Sequence, residues 1–123
     1  MIGVAWIGAV LLLGVAVLQT ALALGAPYGG VSWGGRRKGK LPWHLRIASA
    51  IAVPLLVGFA YVILARAGVF GVSEARVPAF VVAAVLTLNA VGNFASRSFV
   101  ERWVLGPLAI VVAVCAWLVA IWG

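Results

Sequence analysis

The sequence predicts an all-α fold, a polytopic membrane protein built as a four-transmembrane-helix bundle with both termini outside. Three observations predict it. Four apolar stretches, Ile2–Leu24, Ile47–Ala65, Val77–Ala95 and Trp103–Trp122, are each long enough to cross a bilayer, because a spanning helix needs about 20 apolar residues. Every charged residue falls between these stretches, and lipid offers no hydrogen-bond partners, so the stretches must satisfy their own backbones as helices. Lys and Arg are also unevenly shared. Arg36, Arg37, Lys38, Lys40 and Arg46 lie in the first interval and Arg97 and Arg102 in the third, whereas the middle interval holds only Arg66 and Arg76. The positive-inside rule then puts loops 25–46 and 96–102 in the cytoplasm.

Composition narrows the class. The chain has 123 residues, 66% of them hydrophobic and 9% charged, which leaves room for one four-helix domain over 1–123 and no soluble domain beside it. The net charge of +7 reports orientation in such a chain, so a nucleic-acid partner does not follow from it.

In the first helix, Ala9, Ala16 and Ala23 recur every seven residues with Ala5 and Thr20 on the same side. Small stripes of this kind let helix backbones approach closely in lipid. Ala21-Leu22-Ala23 imitates a signal-peptidase site, but no Lys or Arg precedes the apolar run and the run is longer than a usual signal core, so a retained helix is expected. Helix two carries Ser49 near its cytoplasmic end and Pro54 inside it, where the lost backbone hydrogen bond is expected to kink the helix. Glu74, in the short outer interval, is placed to pair with a neighbouring arginine. Helix four begins at Ser98-Phe-Val-Glu101, the pattern of a capping box with Ser98 as N-cap. The turn before it is therefore short, and helices three and four should form an antiparallel hairpin. Helix four presents Gly106, Ala109, Ala113, Ala116 and Ala120 as a packing stripe, with Pro107 expected to kink it. Trp6, Trp43, Trp103, Trp117 and Trp122 sit near the ends of the apolar runs, where interfacial anchoring accounts for most of them. Cys115 is the sole cysteine and reads as a small core residue.

Two constellations carry candidate chemistry. The first loop holds six glycines, two prolines and three aromatics among its basic residues. Tyr28, Trp33 and Trp43 can fold it onto the membrane surface, with Arg36, Arg37, Lys38 and Lys40 on anionic headgroups. A lid over a cytoplasm-facing pocket is the competing reading. Gly34 to Leu41 has the spacing of a phosphate-binding P-loop, but Leu41 replaces the hydroxyl that would hold Mg²⁺ and no strand precedes it. The second constellation lies on helix three. Asn89, Asn93 and Ser96 share a face that Arg97 continues, with Gly92 beside them. They form either interhelical hydrogen bonds or a blind polar pocket open to the cytoplasm. The outer half of the bundle is almost wholly apolar, which argues against a continuous aqueous pore.

Electrostatics restricts the ligand. No Asp or Glu lies within a spanning run, so a coupling carboxylate for protons or cations is missing. Arg46, Arg97, Arg102 and the amides favour an anion, a phosphate headgroup or a neutral hydrogen-bonding molecule. His44 is the only histidine and has no cysteine near it, which predicts no metal site, and Glu74 and Glu101 fall on opposite membrane faces, which predicts no acid–base pair. No cofactor and no enzymatic activity are expected.

The motifs Gly25-Ala-Pro-Tyr-Gly, Trp33-Gly-Gly and Leu41-Pro-Trp-His-Leu-Arg46, together with Asn93-Phe-Ala-Ser-Arg-Ser98, Glu101-Arg102 and Pro107, make the chain resemble an uncharacterised family of small bacterial four-helix integral membrane proteins. That resemblance covers most of the chain and implies the fold and a bacterial cytoplasmic membrane, with no activity to carry over. The expected function is a non-enzymatic membrane module that binds an anionic ligand or lipid headgroup through Asn89, Asn93, Ser96, Arg97, Arg102 and Arg46, as a homo-oligomer or with a partner membrane subunit. An oligomeric transporter or channel for small anions or neutral solutes is the alternative.

Overall fold

The computed structural model describes residues 1–27, 39–71, 76–96 and 98–123. They form α1 (Ile2–Ala23), α2 (Trp43–Arg66), α3 (Arg76–Phe94) and α4 (Gly106–Trp122), the last entered through a π turn at Glu101–Leu105, with no strand among the described residues. All four spans are long and apolar enough to cross a membrane. Each pairs with its sequence neighbour as a hairpin, α1 on α2 and α3 on α4, and α1 against α4 joins the two halves. The start of α2 lies at the end of α1, where Arg46 Nε donates to the Ala23 carbonyl. The end of α2 lies at the end of α4, where the Arg66 guanidinium donates to the Ala120 carbonyl at 3.2 Å and 3.3 Å. The bundle therefore has one end carrying the α1–α2 and α3–α4 turns, here the basic end, and another carrying both termini.

The interior is made of small side chains. Ala5, Gly8, Ala9, Leu12 and Ala16 of α1 are buried, and so are Gly106, Ala109, Ala113, Ala116 and Ala120 of α4, all five positions of the predicted stripe. On α1 the predicted stripe fades toward the basic end, where Ala23 is half-buried and Thr20 exposed. Large side chains such as Val17, Ile51, Val77 and Leu88 point outward. Such a surface suits lipid, which does not drive large apolar groups inward as water does; contact between helices in lipid depends on how closely their backbones approach. Gly8 shows the scale: a Cβ there would come within 3.2 Å of Cys115 Cβ.

Two helix ends are set by glycine. α1 closes at Gly25 (φ 98°), with the Gly25 N–H on the Leu22 carbonyl and the Ala26 N–H on the Ala21 carbonyl. α2 closes in the same way at Gly68 (φ 85°), with N–H groups of Gly68 and Val69 on the carbonyls of Ala65 and Leu64. Both are Schellman motifs, which need a left-handed residue that glycine adopts without strain.

One boundary is corrected, and the surroundings of two prolines are defined. Helix two begins at Trp43 rather than Ile47, because Pro42, extended at ψ 160°, offers its carbonyl to the N–H groups of Leu45 and Arg46. Trp43 and Arg46 thus stand on the first turn of α2 and not in the loop. The helix runs through Pro54 without interruption. Pro107 is met by the π turn just before it. A wider turn relieves the clash between a proline ring and the carbonyl one turn earlier.

Candidate functional site

At the α3–α4 turn the polar groups satisfy one another. Ser98 Oγ accepts the Glu101 N–H at 3.2 Å, which is one half of the predicted capping box. The Glu101 carboxylate accepts the Ser96 hydroxyl at 2.6 Å, and Ser96 Oγ in turn accepts the Ser98 N–H at 3.0 Å. Ser96, Ser98 and Glu101 are all buried. Asn93, half-buried on the last turn of α3, donates its amide to the Leu105 carbonyl at 3.4 Å. Phe94 lies over Gly106, where an added Cβ would meet the ring at 3.1 Å. This corner is a closed structural joint.

Of the six residues assigned to a ligand on helix three and its surroundings, Asn93 and Ser96 are engaged in that joint, and Arg97 lies outside the described residues. Asn89 is exposed, and Arg102 is exposed with its guanidinium 5.6 Å from the Trp103 ring centroid. Arg46 belongs to the other turn. No hydrogen bond or ion pair links Arg46 or Arg102 to Asn89, Asn93 or Ser96. Asn89, Asn93 and Ser96 line neither the apolar groove between α3 and α4 nor the groove at the α1–α2 end.

The α1–α2 end is arranged differently. The left-handed Gly25 leaves bare backbone where α1 stops, and two cations lie over it: a Cβ at Gly25 would come 3.0 Å from Lys40 Cε and 3.3 Å from Arg46 Nη2. Arg46 uses Nε on the Ala23 carbonyl at 3.1 Å, a cation on a helix C-terminus. Its terminal nitrogens and the Lys40 ammonium have no carboxylate partner among the described residues. Arg46 also lines an open groove of about 270 Å³, together with Ala23, Trp43, Ile47 and Ala50. Trp43 stands exposed at its rim, edge-on to His44 at 5.8 Å between ring centroids. An anion beside Lys40 and Arg46 would meet two positive charges and no carboxylate among the described residues.

Of the basic and aromatic loop set, Lys40 and Trp43 are brought to this corner, while Tyr28, Trp33, Arg36, Arg37 and Lys38 lie outside the described residues, as does Glu74. Sequence reasoning overlooked Gly25 itself, though a glycine just past an apolar run is a readable helix stop. It also missed Thr87, whose Oγ accepts the Trp117 indole N–H at 2.9 Å while its own hydroxyl donates to the Ala83 carbonyl. Trp117 is thus tied into the α3–α4 hairpin, where Phe80 also meets it edge-on. No group of three or more metal-ligating side chains occurs among the described residues.

The fold defines a class, the four-helix bundle whose every helix can cross a membrane. No family model matches the chain, and no curated protein or solved structure is similar to it.

Proposed function

We propose that this chain is a multi-pass protein of the bacterial cytoplasmic membrane, without enzymatic activity, that binds the headgroup of an anionic phospholipid at its cytoplasmic end. The observation that carries the reading is the pair Lys40 and Arg46 over Gly25, unmatched by any carboxylate among the described residues, with Arg46 on the wall of a largely apolar groove. A basic residue near a bilayer surface favours anionic lipid by about 1 kcal/mol, so two acting together favour it by roughly 30-fold. Arg102 is exposed at the same end, and in the sequence Arg36, Arg37 and Lys38 precede Lys40 in the same loop. A free phosphorylated metabolite would use the same two cations, but the groove of Trp43, Ile47 and Ala50 favours the lipid, which also brings a chain to fill it.

The test is native mass spectrometry of the detergent-solubilised protein titrated with phosphatidylglycerol or phosphatidylcholine, with inorganic phosphate as a competitor. Preferential phosphatidylglycerol adducts that weaken in Lys40→Gln plus Arg46→Gln support the reading. Equal retention of both lipids, or full displacement by millimolar phosphate, overturns it.

A further inference from the structure

We infer that two copies of this chain pack through the exposed face of α3, with Asn89 of one copy hydrogen-bonded to Asn89 of its partner. Val81, Val85, Leu88, Asn89 and Gly92 are all exposed and follow one another along a single face of α3. Asn89 is the polar member of the set, and its carboxamide has no hydrogen-bond partner among the described residues. It stands five residues before the end of α3 at Phe94, about 7.5 Å along the axis. The inference rests on the membrane placement proposed above. At that depth water is absent, and the short asparagine side chain cannot reach back to the interface as Lys or Arg would.

The partner is identified by the chemistry of the amide. A carboxamide is both donor and acceptor, so it is its own complement. Copies inserted with the same orientation and related by a two-fold axis along the membrane normal bring identical residues to identical depth. Asn89 then meets Asn89, and each amide gives one hydrogen bond and takes one. A hydrocarbon chain on this face supplies neither. Gly92, one turn nearer the basic end, has nothing within 4 Å of where a Cβ would stand, so it leaves room for a facing helix to approach. The dimer does not use Lys40, Arg46 or the groove beside them.

Cysteine cross-linking in carbonate-washed membranes tests the interface. In a Cys115→Ala background, Val85→Cys on the seam should give a disulfide-linked dimer with copper phenanthroline, and Val17→Cys on the exposed side of α1 should not. In phosphatidylcholine liposomes, which contain no anionic lipid, Asn89→Leu should raise the dimer dissociation constant about tenfold by single-molecule photobleaching. Leucine suits an exposed position in lipid, so this variant leaves the folded monomer intact. Membrane-bound protein that fails to cross-link at Val85→Cys overturns the dimer, and equal dimerisation of Asn89→Leu overturns the Asn89 pairing; either result leaves the lipid site standing. Absence of the chain from the washed membranes overturns the membrane placement and the dimer together.

Discussion

The two turns at the basic end use charge in opposite ways. Between α3 and α4, Glu101 is buried and held by Ser96, Ser98 caps the chain behind it, and Asn93 is spent on the Leu105 carbonyl. Between α1 and α2, Lys40 and Arg46 converge on a bare glycine and meet no carboxylate among the described residues. Desolvating a charge is costly unless it finds partners. The first turn solves this internally and gains rigidity. The second leaves its cations at the edge of the bundle, where the proposed headgroup would supply the missing charge. Polar residues of equal prominence in the sequence therefore do different work, and the deciding quantity is how completely each set is satisfied by the protein itself.

The largest separation between the turns should come from neutralising the open one. Lys40→Gln plus Arg46→Gln should lower phosphatidylglycerol affinity by roughly 30-fold, and Lys40→Gln alone by roughly fivefold. Raising the salt concentration should weaken the wild-type protein in the same direction, because exposed cations are screened. Lipid titration by native mass spectrometry reads each effect.

Opening the closed turn should alter stability and leave lipid affinity unchanged. Ser96→Ala removes the hydroxyl held by the buried Glu101 carboxylate and the acceptor of the Ser98 N–H, a loss of about 1.5–3 kcal/mol for a bond to a charged group. Cys115 is buried, so a thiol-reactive fluorophore reports thermal unfolding of this chain directly. A Ser96→Ala protein with unchanged melting and weakened lipid binding would reverse the roles assigned to the two turns.

Two smaller effects probe the hairpin behind the closed turn. Gly106→Ala sets a Cβ about 3.1 Å from the Phe94 ring and should cost about 1 kcal/mol by overpacking, seen as a lower melting temperature. Thr87→Val removes the acceptor of the Trp117 indole and should cost about 0.6 kcal/mol, the mean for such bonds between membrane helices. Its clearest signature is a change in tryptophan emission.

Much of the architecture is legible in residue order. Four long apolar runs require helices, the basic end is marked by its Lys and Arg, and the small-residue stripe on α4 names the buried face at Gly106, Ala109, Ala113, Ala116 and Ala120. Small residues succeed as a signal where hydrophobicity cannot, because these helices are apolar on every side and lipid removes the usual preference for burying large groups. The candidate site was less legible. Asn89, Asn93 and Ser96 share a helical face in the sequence, yet in the structure Asn89 is exposed and the other two are bonded within the α3–α4 joint. Lys40 and Arg46 sit far from Gly25 along the chain and meet there only because α1 stops in a left-handed turn while α2 starts early, at Trp43.

Residue order alone thus determined what each segment is: helices long enough to span a membrane, a basic end and small packing faces. Tertiary structure alone decided which polar group answers which. A helical repeat specifies the angle of a side chain about its own axis, whereas a hydrogen bond between Thr87 and Trp117, or two cations over Gly25, depends on the rotation and register of one helix against another. Those are set by close packing of Gly8 against Cys115 and of Gly106 against the Phe94 ring, and no single segment contains that information.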